Sequence, residues 1–124
     1  MANNSNRLAG TVNLSVDGAT YMLAGDFEYS PSEVARETLV GQDTVHGYSE
    51  KPIAPHIGGT LRDSGGLSVK ALNAMSNVTV VAELANGKVI IGRNMWAVEQ
   101  QAAKATDATI EIRWEGPQGS VSET

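Results

Sequence analysis

The sequence predicts a single, mainly β domain with one short helix. Thirteen glycines, few aromatic residues (5% of 124) and many β-branched residues favour a β-rich fold. Two turn dipeptides, Asp17-Gly18 and Asn86-Gly87, each lie between runs in which apolar and polar residues alternate. This pattern is a strong signal for a β-hairpin, because both turn residues tolerate a positive φ. Only one segment has apolar residues at helical spacing.

The composition argues against several classes of function. Nine basic against fourteen acidic residues give a formal net charge of −5, and no basic patch suited to tight nucleic-acid binding is visible. No apolar run is long enough to span a bilayer, and the start MANNSNRLAG does not resemble a signal peptide, so we expect no membrane anchor. The chain has no cysteine, which excludes disulfides and thiolate chemistry and suits a reducing compartment.

The first predicted hairpin covers residues 8–23, after a polar start (residues 1–7) that we expect to be flexible unless a partner orders it. Its turn is Asp17-Gly18, and its apolar face is predicted to pair Val16 with Ala19, Leu14 with Tyr21, and Val12 with Leu23. The second strand is expected to continue through residues 26–29, until Ser30-Pro31 interrupts it.

Residues 30–57 are too long for an ordinary connection in a small domain, and such segments are usually functional. Within them, residues 36–40 and 47–51 read as short strands on either side of a bend, bounded by Pro31, Pro52 and Pro55. We therefore predict an extended two-stranded arm. The alternative is a surface loop packed on its own sheet.

The segment after the arm begins with a strand at residues 57–62, followed by a break at Asp63 and the glycines after it. The helix is predicted at residues 67–75, where Val69, Leu72 and Met75 recur at helical spacing and Ser68 is suited to the N-cap. A helix this short must be held by packing against the sheet.

The central hairpin is predicted at residues 77–98, with a two-residue turn at Asn86-Gly87. That turn would pair Ala85 with Lys88, Leu84 with Val89, Ala82 with Ile91, Val80 with Arg93, and Val78 with Met95. Arg93 is then the one charged residue on the otherwise apolar face formed by the last four of these pairs. The opposite face is mixed, containing Thr79, Val81, Glu83, Ala85, Lys88, Ile90, Gly92, Asn94 and Trp96. A mixed face of this kind often meets a partner.

The C-terminal part contains a polar link at residues 100–107, with room for a helical turn, and then a cleanly alternating strand at residues 109–115. In that strand Ile110, Ile112 and Trp114 are predicted to point inward. Residues 116–124 show no pattern, and we expect residues 117–124 to be flexible in the isolated chain.

The residues give little support to catalysis or metal binding. His46 and His56 are the two histidines, and neither has partners at the spacing of a metal site. A Ser-His-Asp triad could be assembled from Ser49, His46 and Asp43, but any loop of this composition would allow that. No nucleophile elbow is present. Trp96 and Trp114 fit core or interface packing better than base stacking. We expect no enzyme activity and no cofactor.

Three stretches together resemble the tail tube proteins of contractile-tailed bacteriophages, particularly the Mu-like branch. They are GTVNLSVDG (residues 10–18), RETLVGQDTVHGYSEKPIAPHIGGTL (residues 36–61) and VTVVAELANGKVIIGRNMW (residues 78–96). With their connecting segments they cover roughly residues 8–116. The likeness lies in the ordered combination rather than in one specific motif.

The resemblance implies a two-sheet β-sandwich or rolled β-barrel with one flanking helix and a long extended arm. It also implies homohexameric rings that stack into a hollow tube inside a contractile sheath and conduct DNA into the host cell. The implied partners are the sheath protein, the baseplate or tube initiator, the tail terminator, the tape measure protein and DNA in the lumen. The implied location is the virion tail, assembled in the host cytoplasm.

In this family the long loop between early strands contacts adjacent subunits, mainly across rings. The matching residues are Arg36, Glu37, Leu39, Val40, Tyr48, Glu50 and Lys51. Polar-face residues are lumen candidates, because an acidic or neutral lining repels phosphate. They are Asn13, Ser15, Thr79, Glu83, Asn94 and Glu111. The same residues could simply face solvent. The alternatives are a tube of a DNA-free injection device and a small β-barrel that grips a ligand through residues 30–57.

Overall fold

The computed structural model describes residues 10–63, 65, 68–98, 103–104 and 106–124. These residues form eleven strands and one short helix, which confirms the mainly β prediction. The elements are β1 (Val12–Val16), β2 (Ala19–Tyr21), β3 (Leu23–Ser30), β4 (Val34–Val40), β5 (Val45–Pro52), β6 (His56–Arg62), α1 (Val69–Asn73), β7 (Val78–Leu84), β8 (Val89–Ala97), β9 (Ala103–Lys104), β10 (Thr109–Glu115) and β11 (Val121–Glu123). No helix in these ranges is long and apolar enough to cross a membrane.

The body of the protein is a sandwich of two antiparallel sheets joined through β8. In the first sheet the strand order is β2-β1-β7-β8-β11, and in the second it is β3-β6-β10-β9. The last residues of β8 connect them, because Trp96 and Ala97 pair with Glu115 and Trp114 of β10. The order from β2 to β3 does not close on itself. Of the two predicted architectures, the fold is therefore the two-sheet sandwich and not the rolled barrel. A groove of about 730 Å³ lies at the open side of the sandwich, between β1 and β3.

The core lies between the sheets and is built by alternation along the strands. In β10 the inward residues Ile110, Ile112 and Trp114 are 0–4% exposed, as the sequence predicted. The Trp114 indole N–H donates to the Met75 sulfur at 3.4 Å, so Met75, two residues beyond the end of the helix, covers the largest core side chain. Trp96, by contrast, is 37% exposed, so it is not a core residue, and its role at a subunit interface stays a prediction.

The first hairpin forms as predicted at its turn. Asp17 and Gly18 have φ values of 50° and 86°, the two positive angles of a type I′ turn. Val16 pairs with Ala19, and Leu14 pairs with Tyr21. The Asp17 carboxylate also accepts a hydrogen bond of 2.8 Å from the Thr79 N–H, which fixes the turn to β7.

The predicted pairing of Val12 with Leu23 is wrong. Leu23 pairs instead with Leu61 of β6, because the chain leaves the first sheet at Met22 and enters the second. The Met22 carbonyl accepts a hydrogen bond of 2.8 Å from the Arg62 N–H at this crossing. The stretch that sequence analysis treated as one continued strand is therefore two strands, one in each sheet.

The central hairpin forms, but its loop has three residues rather than two. The Leu84 N–H donates to the Lys88 carbonyl at 2.9 Å, and the Gly87 N–H donates to the Leu84 carbonyl at 3.1 Å. Gly87 has a φ of 92°. A three-residue loop that ends with glycine in this conformation is a common alternative to the type I′ turn, and Asn-Gly is compatible with both.

The longer loop shifts the register of β8 by one residue, which changes its face. Ala82 pairs with Ile90 and Val80 with Gly92, so Ile90 is fully buried in the core and Ile91 faces outward. The predicted pairs of Ala85, Leu84, Ala82 and Val80 are therefore wrong. Arg93, the residue that did not fit the predicted apolar face, is exposed.

The pairing of Val78 with Met95 is nevertheless confirmed. An irregularity lies between the pairs formed by Val80 and by Val78, and Asn94 within it has a φ of 57°. This bulge adds one residue to β8 and cancels the shift introduced by the loop.

The helix is shorter than predicted. α1 contains five residues, and Ser68 is its N-cap as expected, because the Ser68 hydroxyl accepts a hydrogen bond of 3.2 Å from the Ala71 N–H. Leu72 is buried and holds the helix on the core. The predicted start at residue 67 lies outside the described residues.

The C-terminal region has more structure than its sequence indicates. Much of the predicted link at residues 100–107 lies outside the described residues, but Ala103 and Lys104 form β9 against β10. Residues 121–123, for which no structure was predicted, pair with Gly92, Ile91 and Ile90 of β8 as β11. Val121 is 6% exposed, so one apolar side chain holds this strand in the core. Flexibility of residues 117–124 before assembly stays a prediction.

Candidate assembly interfaces

The long segment between β3 and β6 is a two-stranded arm, as predicted. β4 and β5 pair only with each other in the described sheets, and all fifteen of their residues are exposed. The arm continues the β3–β6 pair, since both of its strands connect directly to that pair along the chain. Its base is fixed where the Ile53 N–H donates to the Glu33 carbonyl at 3.0 Å and the Gln118 side chain donates to the Ile53 carbonyl at 3.2 Å.

The arm exposes large apolar side chains, which would be unfavourable on a hairpin that contacts only solvent. Most of the large hydrophobic residues that are exposed in the described part of the chain lie on it. They are Val34 (38%), Leu39 (47%), Val40 (70%), Val45 (61%) and Tyr48 (59%). Grouped exposed apolar residues within a polar rim are typical of a binding surface.

The register divides the predicted arm contacts between two faces. Arg36 lies opposite Glu50, and their side chains form an ion pair of 2.9 Å. The Arg36 guanidinium also lies 5.3 Å from the centre of the Tyr48 ring. Together they form a compact polar face. Because side chains alternate along a strand, the opposite face carries Glu37, Leu39 and Lys51. Val40 follows a register irregularity near the tip.

The arm tip is a tight turn with its own polar contacts. The Gly41 N–H donates to the Thr44 carbonyl at 2.9 Å, and His46 Nε2 lies 2.7 Å from Asp43 Oδ1. The hydrogen bond from His46 lowers the pKa of Asp43, with a smaller contribution from backbone N–H groups. A Cβ on Gly41 would overlap the His46 ring, so a larger residue there would displace this exposed side chain from Asp43.

Of the triad considered from sequence, the structure brings Asp43 and His46 into contact. Ser49, the remaining member of the triad considered from sequence, lies further along β5 opposite Glu37. In the part of the chain that the structure describes, no group of three or more His, Cys, Asp or Glu side chains could hold a metal ion.

The structure brings four of the six lumen candidates onto one face. Asn13 pairs with Glu83 and Ser15 with Val81, while Thr79 is the next outward residue of β7. These residues form the outer face of the first sheet. Its members here are polar or half-buried apolar side chains, and Glu83 is the only charged residue among them.

The other two lumen candidates lie elsewhere. Asn94 is exposed at the β8 bulge, and Glu111 lies on the outer face of the second sheet. The outer faces of the two sheets of a sandwich point away from each other. Glu111 therefore cannot line the same channel as Glu83 within one subunit orientation.

The outer face of the second sheet carries a charged cluster that sequence analysis missed. Arg113 Nε lies 3.0 Å from Glu115 and Arg113 Nη1 lies 4.0 Å from Glu28, while His56 Nε2 lies 3.6 Å from the same Glu28 carboxylate. Three strands contribute to it, so no local motif could indicate it. The two outer faces thus differ in charge density.

A second missed cluster ties β11 to both sheets. The Tyr29 hydroxyl donates to Glu123 Oε2 at 2.6 Å, and Lys88 Nζ lies 3.0 Å from the same oxygen. The hydrogen bonds from Tyr29 and Lys88 lower the pKa of Glu123, and the hydrogen bond to Glu123 raises the pKa of Lys88. The cluster joins β3, the residue that precedes β8, and the last strand of the chain.

Comparison with known proteins gives one family. The family model described as "Phage tail tube protein" matches residues 5–121. No curated protein matches the sequence.

Two solved structures share the fold at low sequence identity. One is the sheath/tube terminator of an extracellular contractile injection system (PVC) in its extended state, with 12% identity, a TM-score of 0.56, and coverage of 91% of this chain and 92% of that one. The other is the tube-terminating cap of the anti-feeding prophage, with 11% identity, a TM-score of 0.57, and coverage of 91% and 87%.

Proposed function

The chain belongs to the phage tail tube protein family, and we propose that it is the subunit that builds the hollow tube of a contractile tail. The family match, which spans residues 5–121, is the observation that carries this proposal. In the proposed assembly, six copies form a ring, rings stack inside a sheath, and DNA passes through the lumen into the host. Its place in the Mu-like branch is part of the proposal. A tube subunit works through its surfaces and needs no catalytic site.

The arm makes the contact between stacked rings in this proposal. Its two faces offer different chemistry, with Arg36, Tyr48 and Glu50 on one and Glu37, Leu39 and Lys51 on the other. Leu39, Val40, Val45 and Tyr48 are exposed in the isolated chain and would be covered by the next ring. Burial of apolar area contributes about 25 cal/mol per Å², so covering these side chains favours stacking.

Rings form in this proposal by edge-to-edge pairing of strands. The described sheets end in strands with one unpaired edge, such as β2 and β3. Exposed edges favour pairing with another chain. A head-to-tail contact of this kind closes into a ring when its rotation divides a full turn. The ring faces then remain free for stacking and for the tube initiator and terminator.

The lumen would be lined by the outer face of one sheet. Both faces carry acidic residues, and the formal net charge of −5 is compatible with a channel from which DNA is released easily. The tape measure protein would occupy the same channel before DNA. The opposite face would contact the sheath. Assembly in the host cytoplasm followed by residence in the virion tail completes the proposal.

A second candidate is a tube or tube-end subunit of a DNA-free injection device. The fold likeness to terminators of contractile injection systems favours it, although identities of 11–12% establish only the fold. The neighbouring genes separate the two candidates. Capsid and portal genes indicate a phage tail, and their absence beside sheath and baseplate genes indicates an injection device.

Negative-stain electron microscopy of the purified protein tests the proposal. We expect rings, or tubes without a sheath, at high protein concentration. A protein that stays strictly monomeric, both alone and with the rest of a tail, contradicts the proposal. A monomer of this kind would fit a small ligand-binding module instead.

A further inference from the structure

The loop of the central hairpin contains a chemically labile pair. Asn86 is the only asparagine in the chain that is followed by glycine, and both residues are exposed. We propose that Asn86 is a site of spontaneous deamidation, and that the reaction changes the connection between β7 and β8. This inference does not depend on the tail-tube assignment.

The reaction needs no enzyme or metal ion. The deprotonated Gly87 nitrogen attacks Asn86 Cγ, a C–N bond forms, the bond from Cγ to Nδ2 breaks, and the nitrogen leaves as ammonia after protonation. The product is a cyclic succinimide between residues 86 and 87. Water then opens the ring at either carbonyl, giving aspartate or isoaspartate. The net reaction consumes one water and releases one ammonia, with no oxidant or reductant.

The side chain of Asn86 is already folded over the following peptide. Asn86 Oδ1 accepts a hydrogen bond of 3.1 Å from the Lys88 N–H, the geometry of an Asx-turn. This arrangement brings the side-chain carbonyl close to the Gly87 peptide. The same N–H can stabilise the negative charge that develops on the oxygen during attack.

Gly87 leaves the attacking nitrogen accessible. A Cβ built on Gly87 would meet nothing within 4 Å, and its φ of 92° is one that other residues rarely adopt. Glycine therefore combines an unhindered nitrogen with freedom for the rotation that ring closure requires.

One contact opposes the reaction. The Gly87 N–H donates to the Leu84 carbonyl at 3.1 Å, so it must be released before deprotonation. The net contribution of an ordinary backbone hydrogen bond corresponds to a slowing of about two- to tenfold. The loop is exposed, so release requires only a local opening and the reaction proceeds from the folded chain.

The two products have different structural consequences. Aspartate can keep the hydrogen bond to Lys88 and is itself favoured in hairpin turns, so this product preserves the loop. Isoaspartate adds one atom to the backbone between Leu84 and Lys88, whose hydrogen bond of 2.9 Å closes the loop. That product therefore disturbs the register that places Ile90 in the core.

Ageing of the intact protein tests this inference. The purified chain is held at mildly alkaline pH and body temperature, and samples are mapped by mass spectrometry with fragmentation that distinguishes isoaspartate. We expect modification at Asn86 at least about tenfold faster than at Asn13 or Asn94, where a larger residue follows. The rate should rise about tenfold per pH unit, because the amide nitrogen reacts in its deprotonated form.

The variant Asn86→Asp is the matched product mimic, and we expect it to fold like the parent chain. Hydrogen exchange at residues 83–90 should rise in isoaspartate-containing protein and remain unchanged in this variant. Modification that is equal at Asn86, Asn13 and Asn94, or a rate that does not depend on pH, overturns the inference. Unchanged exchange in the isoaspartate form overturns its structural consequence.

Discussion

The arm tip allows assembly to be perturbed without perturbing the fold. Deletion of residues 42–47 leaves Leu39-Val40-Gly41 between Thr38 and Tyr48, which are already register partners. A three-residue connection with glycine in last place is a common hairpin loop, so the shortened arm can close without strain. All six deleted residues are exposed.

The expected effect on folding is small. The deletion removes the contact between Asp43 and His46, but both side chains are largely in water, where such a contact contributes little. Shortening the loop changes its closure entropy by less than about 1 kcal/mol. We therefore expect the free energy of unfolding to change by less than about 1 kcal/mol.

The expected effect on stacking is large. Val45 is 61% exposed in the isolated chain, and burial of that fraction of a valine contributes about 1–2 kcal/mol. In the proposed ring the six arms engage together, so the loss is on the order of 6–12 kcal/mol for each contact between rings. Stacked tubes should be lost, while single rings persist.

Two measurements on the same preparation decide the outcome. Denaturant unfolding followed by tryptophan fluorescence reports the fold, and negative-stain microscopy reports stacking. The double variant Arg36→Ala with Glu50→Ala keeps the arm length and the tip, so comparing it with the deletion separates the contribution of the arm's polar face to stacking from that of the tip. Normal tubes from the deletion variant would refute the stacking role of the tip. A loss of more than about 2 kcal/mol in stability would refute its independence from the fold.

Three further predictions concern the body. The folded-state pKa of Glu123 is lowered, so its stabilising contribution is present above the unfolded-state pKa and is lost as pH falls through the folded-state value. Glu123→Gln should therefore reduce the dependence of the free energy of unfolding on pH in the acid range. An unchanged pH dependence contradicts this. Ile90→Ala should cost about 2–5 kcal/mol and Ile91→Ala less than about 1 kcal/mol in denaturant unfolding, whereas equal losses would contradict the three-residue loop. In this cysteine-free chain, cysteine introduced at Ser15 or Glu111 should react with a bulky maleimide in the monomer at both positions but in assembled tubes at only one. Reaction at both positions in tubes would contradict the proposal that one sheet face lines a channel closed to the reagent.

Elements fixed by local chemistry were predictable from the sequence. In β10 the strict alternation of Ile110, Ile112 and Trp114 with charged residues leaves one way to place the strand. The Asp17-Gly18 turn similarly determines its hairpin, because the pairing on both sides agrees with the type I′ geometry. The arm was predictable for a different reason, as an over-long segment with its own strand pattern and proline boundaries.

The errors occurred where local chemistry permits two outcomes. Asn86-Gly87 suits both a two-residue and a three-residue loop, and only the burial of Ile90 in the core distinguishes them. The two-residue loop placed the charged Arg93 on the predicted apolar face, and this misfit was the one sign in the sequence that the register was wrong. The transfer of β3 to the second sheet could not be predicted, since Met22 continues the alternation without a break.

Contacts between distant segments could not be predicted either. β11 forms because β8 offers a free edge beside the core, and Glu123 then meets Tyr29 from a strand 94 residues earlier in the chain. No pattern within residues 116–124 indicates this. The division of the lumen candidates between two sheet faces has the same cause, because the assignment of strands to sheets depends on tertiary packing.

A cryo-electron microscopy reconstruction of the assembled protein shows whether the arm connects stacked rings. We expect a hollow tube of stacked rings in which β4 and β5 of each subunit cross the ring boundary and bury Leu39, Val40 and Val45 against the next ring. A reconstruction in which the arm folds back on its own subunit, with the ring boundary formed by other elements, would contradict it.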